Sequence, residues 1–323
     1  MQAYSQARAA LADADSVIVT THVNPDADGL GSGLALMRAL ERLGKAVRFV
    51  CPSPVAAINA FLPGFERIEI CEDEAWARAQ PACDVLISCD CGSLDRLERV
   101  ASLPRAQLIN ADHHASNTRF GDLNVVDEDA ACSGIVVEQL ISALGVELDA
   151  AMATNLYAAV VFDTGRFMHG NTTAEVLRWT ARLLDVGIDA GAINRAISYT
   201  KSLHDLQVIR LGLEHLVVDV ERPQLAGISL SRDVIDAVGE PEDWGDLIDF
   251  PRSLSDNRIA YLLRENRDRK ACRVSLRANP PYAVEPVATR FGGGGHRYAA
   301  GCTIAMPLEA ARAALLPLLR AQL

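Results

Sequence analysis

Thr21-His22-Val23-Asn24-Pro25-Asp26-Ala27-Asp28-Gly29-Leu30-Gly31-Ser32 is the stretch of sequence that decides the fold. It follows Ser16–Thr20, a run rich in β-branched residues that predicts a strand, and it leads into an amphipathic pattern that predicts a helix over Gly31–Leu43. A strand, a polar loop and a helix in this order begin a βαβ unit. The stretch therefore predicts an α/β protein with polar side chains in its first loop.

Further strands are predicted over Lys45–Cys51, Asp84–Cys89 and Gln107–Asn110. The run Asp84–Cys89 is almost continuously apolar, which is typical of a strand that is covered on both faces. Helical patterns follow over Ser133–Leu144, Ala150–Phe162, Thr173–Val186 and Ala190–Tyr199. The alternation predicts a doubly wound, mostly parallel sheet in the N-terminal half.

The pattern changes after about Lys201. We predict an N-terminal domain over residues 1–195, a helical linker over 196–215 and a smaller α/β domain over 216–323. Its strands are predicted over Leu216–Val220, Leu225–Leu230, Ile259–Arg264 and Cys272–Arg277, and a last helix begins at Leu308.

Composition excludes several classes of protein. The 323 residues carry a formal net charge of -11, which is the opposite of what a protein that coats duplex DNA needs. The first residues lack the basic start and apolar core of a signal peptide, and no apolar run approaches the roughly 18 residues that span a bilayer. The eight cysteines form no C-x-x-C pairs, so we expect buried, reduced thiols. We therefore expect a cytoplasmic protein that does not contact membranes.

Acidic and imidazole side chains follow the predicted strands at the points where they end. In a doubly wound sheet the carboxyl ends of neighbouring strands lie at one edge, where ligands collect. We expect the following residues to come together there: His22, Asp26, Asp28, Asp90, Asp112, His113, His114 and Asp163. Each alone has an ordinary explanation as a turn former, a helix cap or a surface residue. Their joint position at one edge favours a site.

The mixture of ligand types indicates which metals the site would hold. Carboxylates alone suit Mg²⁺ or Ca²⁺, whereas added imidazoles favour Mn²⁺, Fe²⁺, Co²⁺ or Zn²⁺. Six or seven such ligands are about what two divalent ions require. Two ions about 3.5–4 Å apart can clamp the attacking and leaving oxygens of a phosphoryl transfer. The sequence therefore predicts a two-metal phosphoesterase.

The motifs resemble those of the DHH phosphoesterase family, which is named for its Asp-His-His triplet. Thr21–Ser32 is similar to the first motif, and Cys89-Asp90-Cys91 stands where the second is expected. The third and fourth are Ala111-Asp112-His113-His114 and Phe162-Asp163-Thr164-Gly165-Arg166-Phe167. The segment Phe291-Gly292-Gly293-Gly294-Gly295-His296-Arg297-Tyr298-Ala299-Ala300-Gly301 resembles the glycine-rich signature of the DHH-associated domain, DHHA1.

The resemblance implies a role for each matched residue. His22 and Asp26 would hold one metal ion, expected to be Mn²⁺, and Asp90 would bridge it to the second. The ligands of the second ion would be Asp28, His113 and Asp163. Asp112 would orient a ligand histidine, and His114 would face the scissile phosphate.

The resemblance is strongest to the branch of nanoRNases and pAp phosphatases, which act on short oligonucleotides and on nucleotide bisphosphates. Linear or cyclic dinucleotides such as pApA and c-di-AMP are alternative substrates. An inorganic pyrophosphatase and an inactive nucleotide-binding regulator are further alternatives. Expected substrate contacts are Arg166, Arg277, Gly293, Gly294, Gly295, His296 and Arg297. Many relatives form homodimers, and the sequence leaves the oligomeric state open.

Overall fold

The computed structural model describes residues 2–199, 201–241 and 244–323. The chain divides into two compact units, Met1–Thr200 and Lys201–Leu323. Within the described residues, no helix is both long enough and apolar enough to cross a membrane.

The first unit alternates strands and helices. Its strands are β1 (Ser16–Thr20), β2 (Ala46–Cys51), β3 (Ile68–Ile70), β4 (Cys83–Cys89), β5 (Arg105–Asp112) and β6 (Leu123–Val126). Its helices are α1 (Gln2–Asp13), α2 (Ala27–Arg42), α3 (Glu74–Ala79), α4 (Ser133–Ala143), α5 (Ala150–Asp163), α6 (Ala174–Asp185) and α7 (Ala190–Ser198).

The six strands form one sheet in the order β3-β2-β1-β4-β5-β6, and every pairing is parallel. Alternate residues of β1 face opposite sides, because Val17 and Val19 join one apolar cluster and Ile18 joins another. The sheet is therefore covered on both faces, and the predicted doubly wound α/β fold is confirmed. The strand order reverses between β1 and β4, which is where such sheets bind ligands.

Helix α2 begins four residues earlier than the sequence predicts. Asp26 adopts an extended backbone conformation, and its carboxylate accepts hydrogen bonds from the N–H groups of Asp28 and Gly29. This is an N-cap, which satisfies N–H groups that the helix itself leaves unpaired. The interpretation of residues 27–30 as a loop was wrong, because Gly29 belongs to the first turn of α2, where it packs closely against Thr21. Asp28 therefore lies in the first turn of α2.

Other predicted bounds differ at their ends. Strand β5 runs through Asp112, two residues beyond the predicted end at Asn110. Helix α1 was not predicted. The short edge strands β3 and β6 were not predicted either, because three or four residues carry too little pattern to identify a strand.

The second unit contains β7 (Leu216–Val218), β8 (Leu225–Leu230), β9 (Ile259–Glu265), β10 (Cys272–Ala278), β11 (Gly294–His296) and β12 (Ala299–Ile304). Its helices are α8 (Leu203–Glu214), α9 (Arg232–Val238), α10 (Asp249–Arg252), α11 (Glu285–Arg290) and α12 (Leu308–Arg320). The strands form a mixed sheet in the order β11-β12-β10-β9-β8-β7, in which only the pairing of β8 with β9 is parallel. Strand β7 ends at Val218, two residues earlier than predicted.

Candidate metal centre

Three neighbouring strands of the first unit end in polar residues at the same edge of the sheet. His22 lies two residues beyond β1, Asp90 directly follows β4, and Asp112 is the last residue of β5. Asp90 has a φ of 57°, a left-handed conformation that is uncommon for a residue other than glycine. The chain thus turns sharply at Asp90, whose side chain is buried.

The first cluster contains His22, Asp26 and Asp90. His22 Nε2 lies 3.6 Å from Asp26 Oδ2 and 3.4 Å from Asp90 Oδ2. Atoms that are bonded to one cation at about 2 Å lie roughly 3–4 Å from one another, so these separations suit a shared ion. His22 Nδ1 lies 2.8 Å from the carbonyl oxygen of Val23 and 2.8 Å from the guanidinium of Arg96, and these contacts hold the ring with Nε2 toward the carboxylates.

The second cluster contains Asp28, His113 and Asp163, which ends α5. His113 Nε2 lies 3.0 Å from Asp163 Oδ2, 3.8 Å from Asp28 Oδ2 and 3.7 Å from Asp90 Oδ1. Asp90 thus turns one oxygen toward His22 and the other toward His113. The structure brings all six residues that the sequence analysis names as metal ligands into these two adjoining clusters.

The surroundings of His113 Nε2 test whether a cation fits here. His113 Nδ1 is 3.2 Å from the carbonyl oxygen of Ala130, and the buried Nε2 faces carboxylate oxygens, of which Asp163 Oδ2 is the nearest at 3.0 Å. Several carboxylates buried around one imidazole repel one another unless positive charge lies between them. A divalent cation would supply that charge, and the mixed N and O donor set suits transition metals. The residues therefore fit a metal site.

The electrostatics of the clusters agree with that fit. Burial lowers the pKa of His22, but Asp26 and Asp90 outweigh burial and raise that pKa to about 10. His113 behaves in the same way, and its pKa is also raised to about 10. Burial and the neighbouring charge of Asp90 raise the pKa of Asp28 well above its usual value. Without a cation, protons on His22, His113 and Asp28 offset the repulsion between the neighbouring carboxylates.

Asp112 is hydrogen-bonded to His114. His114 Nδ1 donates to Asp112 Oδ1 at 2.8 Å. Burial alone would raise the pKa of Asp112, but the hydrogen bond from His114 lowers it. This contact places Asp112 beside the histidine that is expected at the substrate phosphate. His114 Nδ1 also lies 3.6 Å from Asp90 Oδ1.

The N-terminus of α4 supports the carboxylates, and the sequence analysis missed it. The N–H groups of Ser133 and Gly134 donate to the two oxygens of Asp28, at 2.7 and 3.0 Å. Ser133 Oγ donates to Asp90 Oδ1 at 3.0 Å and lies 3.4 Å from Asp112 Oδ1. A helix N-terminus stabilises negative charge through its unpaired N–H groups and its dipole. The sequence signal, a serine at the start of an apolar helix, is too common to single it out.

Two of the expected substrate residues of the second unit share a cavity. Arg277 and Gly293 line a cavity of about 650 Å³. A side chain at position 293 would place its Cβ 2.1 Å from the carbonyl oxygen of Gly301, so only glycine fits there. Burial lowers the pKa of Arg277.

The other expected contacts of the second unit are not lining residues of this cavity. Gly294, Gly295 and His296 form the edge strand β11, and Arg297 is exposed, with its guanidinium 5.5 Å from the ring centroid of Tyr298. In the first unit, Arg166 follows α5 and is exposed.

The cavity contains charged and aromatic residues that the sequence analysis left without a role. Arg264 and Arg273 are cross-strand neighbours on β9 and β10, and both line the cavity beside Arg277. The Arg264 guanidinium stacks 4.7 Å from the ring centroid of Trp244. Arginines and aromatic rings on one sheet face can bind phosphates and bases. The alternation of side chains along β10 could have indicated Arg273, because positions 273 and 277 face the same side of the sheet.

The sequence matches the DHH family, N-terminal domain, over residues 16–160 and the DHHA1 domain over residues 226–322. The chain therefore belongs to the DHH family, and it is a hydrolase of the DHH phosphoesterase type. This confirms the resemblance that the motifs indicate.

Among its relatives is the bifunctional oligoribonuclease and PAP phosphatase NrnA of Thermus thermophilus, which is 31% identical over 89% of this chain and 84% of that protein. The protein of the same name from Bacillus subtilis is 26% identical over 90% of each chain. The fold is also similar to an exopolyphosphatase-related protein from Bacteroides fragilis. That structure has a TM-score of 0.91 and 23% identity, and the match covers 99% of this chain and 96% of that one.

Proposed function

We propose that this chain is a Mn²⁺-dependent phosphoesterase that removes mononucleotides from very short RNA and converts pAp to AMP. The observation that carries the proposal is the pair of adjoining Asp/His clusters, with one oxygen of Asp90 turned toward each. In this proposal His22 and Asp26 hold one ion, Asp90 bridges, and the other ion is held by Asp28, His113 and Asp163.

Two divalent ions, when bound, would supply the positive charge and Lewis acidity that hydrolysis of a phosphoester needs. The protein's own residues hold the carboxylates and the imidazole of the site in fixed orientations. The α4 N-terminus fixes Asp28 through the N–H groups of Ser133 and Gly134. Asp112 fixes the imidazole of His114 through Nδ1, and we assign His114 to the scissile phosphate. A side chain held in this way needs little reorganisation during the reaction.

The proposed substrate class follows from the relatives and from the charge. The Thermus and Bacillus relatives are named for oligoribonuclease and PAP phosphatase activity. A net charge of -11 disfavours long polyanions such as duplex DNA, so phosphate must be bound by local groups. Arg277, with Arg264 and Arg273 beside it, supplies such groups in the second unit. We assign the glycine-rich segment Gly293–Arg297 and Arg166 to substrate binding as well.

The cysteines bear on the compartment in which the protein acts, and the family resemblance bears on its oligomeric state. All eight cysteines are buried and unpaired, which agrees with a reducing compartment, and we propose that the protein acts in the cytoplasm. We also propose that it forms a homodimer, as the family resemblance suggests.

The experiment is a comparison of initial rates on pAp, pApA, RNA of a few nucleotides, DNA of the same length and inorganic pyrophosphate, all with Mn²⁺. We expect turnover of short RNA and pAp to AMP and mononucleotide. Exclusive turnover of pyrophosphate, or of pApA, would contradict the proposal. Asp90→Ala is the negative control, since it removes the proposed bridge, and circular dichroism of that variant tests that it is folded.

A further inference from the structure

Asn117 lies in the loop after β5 and makes an unusual number of contacts beside the metal clusters. Its Nδ2 lies 2.5 Å from Asp112 Oδ2, 2.7 Å from Asn110 Oδ1 and 3.2 Å from the carbonyl oxygen of Cys91. Its Oδ1 accepts from the N–H of Arg119 at 2.6 Å. The orientation of the amide is thus fixed by its neighbours, because the donor end faces three oxygens and the acceptor end faces an N–H.

Through these contacts Asn117 connects two motifs that are distant in sequence. One contact is to Asp112, whose other oxygen accepts the hydrogen bond from His114 Nδ1. Another is to the carbonyl of Cys91, the residue after Asp90. That carbonyl also accepts from Asn110 Nδ2 at 3.0 Å. Asn110 is fully buried, so this second donor is held firmly in place.

The two contacted groups both need external support. Asp90 adopts a left-handed backbone conformation, which is uncommon for a residue other than glycine and which the surrounding structure holds. Asp112 has to keep one oxygen directed at His114, and a hydrogen bond to its second oxygen restricts rotation of the carboxylate. Asn117 contacts both groups from a single amide, whose two N–H groups are shared among Asp112, Asn110 and the carbonyl of Cys91.

We propose that Asn117 is a positioning residue, which fixes the imidazole of His114 through Asp112 and steadies the turn at Asp90 through the carbonyl of Cys91. This inference rests on the proposed function, in which Asp90 bridges the ions and His114 faces the phosphate. Among the described contacts, Asn117 touches none of the six proposed metal ligands directly. Its removal is therefore predicted to lower kcat, through the positions of His114 and Asp90.

The test compares Asn117→Asp and Asn117→Ala with the wild-type protein. Asn117→Asp keeps the shape but places a carboxylate against Asp112, whereas Asn117→Ala only removes the donor. We expect kcat on short RNA to fall about 10–100-fold in the aspartate variant and less in the alanine variant, with KM within about two-fold of wild type. The matched control is Asn124→Asp, because the Asn124 amide bonds only to the backbone of Gly121 among the described contacts.

Wild-type kcat in Asn117→Asp, or a loss confined to KM, would overturn the inference. If the aspartate variant does not fold, the alanine variant decides by the same criteria. Absence of activity in the wild-type protein would contradict the proposed function instead. In that case side-chain ¹H–¹⁵N spectra test the positioning role of Asn117. We expect the His114 imidazole signal to shift or broaden in Asn117→Asp but not in Asn124→Asp. An unchanged His114 signal would refute the positioning role.

Discussion

Replacing Gly29 by alanine tests how closely the first motif packs around the clusters. Gly29 lies in the first turn of α2, and an ideal Cβ there would be 2.2 Å from Thr21 Oγ1 and 3.4 Å from Asp90 Oδ2. Thr21 is fully buried, so its hydroxyl has little room to move away. Because real contacts of this kind essentially never fall below 3.0 Å, the β1–α2 loop must open by roughly 1 Å.

The expected magnitudes follow from that displacement. Overpacking costs about 1–3 kcal/mol, and about 1 kcal/mol is recovered from the better helix propensity of alanine. We therefore expect the thermal transition to fall by only a few degrees. Catalysis is more sensitive, because a misplacement of about 1 Å can cost about 100-fold in rate. We expect kcat on pAp to fall by about that factor in Gly29→Ala.

The assay measures kcat and the thermal transition for three variants. Gly191→Ala is the matched control, because Gly191 is an exposed helical glycine of α7 whose Cβ would meet only the flexible ends of Asp189 and Arg195. Adding Thr21→Ala to Gly29→Ala removes the closest contact and should restore part of kcat. Wild-type kcat in Gly29→Ala, or no recovery in the double variant, would refute the packing argument.

Two further predictions concern protons and substrate binding. His22 and His113, whose pKa values are raised to about 10, carry protons at pH 7 without metal, so Mn²⁺ binding should release protons and tighten as pH rises. Calorimetry in two buffers of different ionisation enthalpy measures that release, and binding heats that do not depend on the buffer would contradict it. Arg273→Ala should raise KM for short RNA several-fold with kcat unchanged, because it removes binding that is equal in the ground and transition states. Arg8→Ala on α1 is the control, and a fall in kcat without a change in KM would argue against that role for Arg273.

Apolar strands precede most of the clustered acids and histidines, which is why the sequence predicts these residues at one edge of the sheet. Asp90 could be assigned to the sheet edge because Asp84–Cys89 is so clearly a buried strand, and parallel strands end together. The early start of α2 was missed because Gly29 resembles a loop residue in the sequence. In the structure that glycine serves packing, since a Cβ there would meet Thr21.

The supporting residues could not be predicted from sequence. Ser133 lies 43 positions from Asp90, and nothing in a serine at a helix start indicates which carboxylate it contacts. Asn117 follows the Asp-His-His motif closely, yet its contacts depend on how the loop folds back on Cys91. Such contacts are set by the path of loops, which leaves no periodic signal in sequence.

Native mass spectrometry of the chain equilibrated with Mn²⁺ tests the central claim most directly, because it counts the ions held by the two clusters. We predict two ions per chain for the wild-type protein and no more than one for folded Asp90→Ala, which lacks the proposed bridge. A wild-type protein that saturates with a single ion, or an Asp90→Ala variant that still holds two, would contradict the two-metal account.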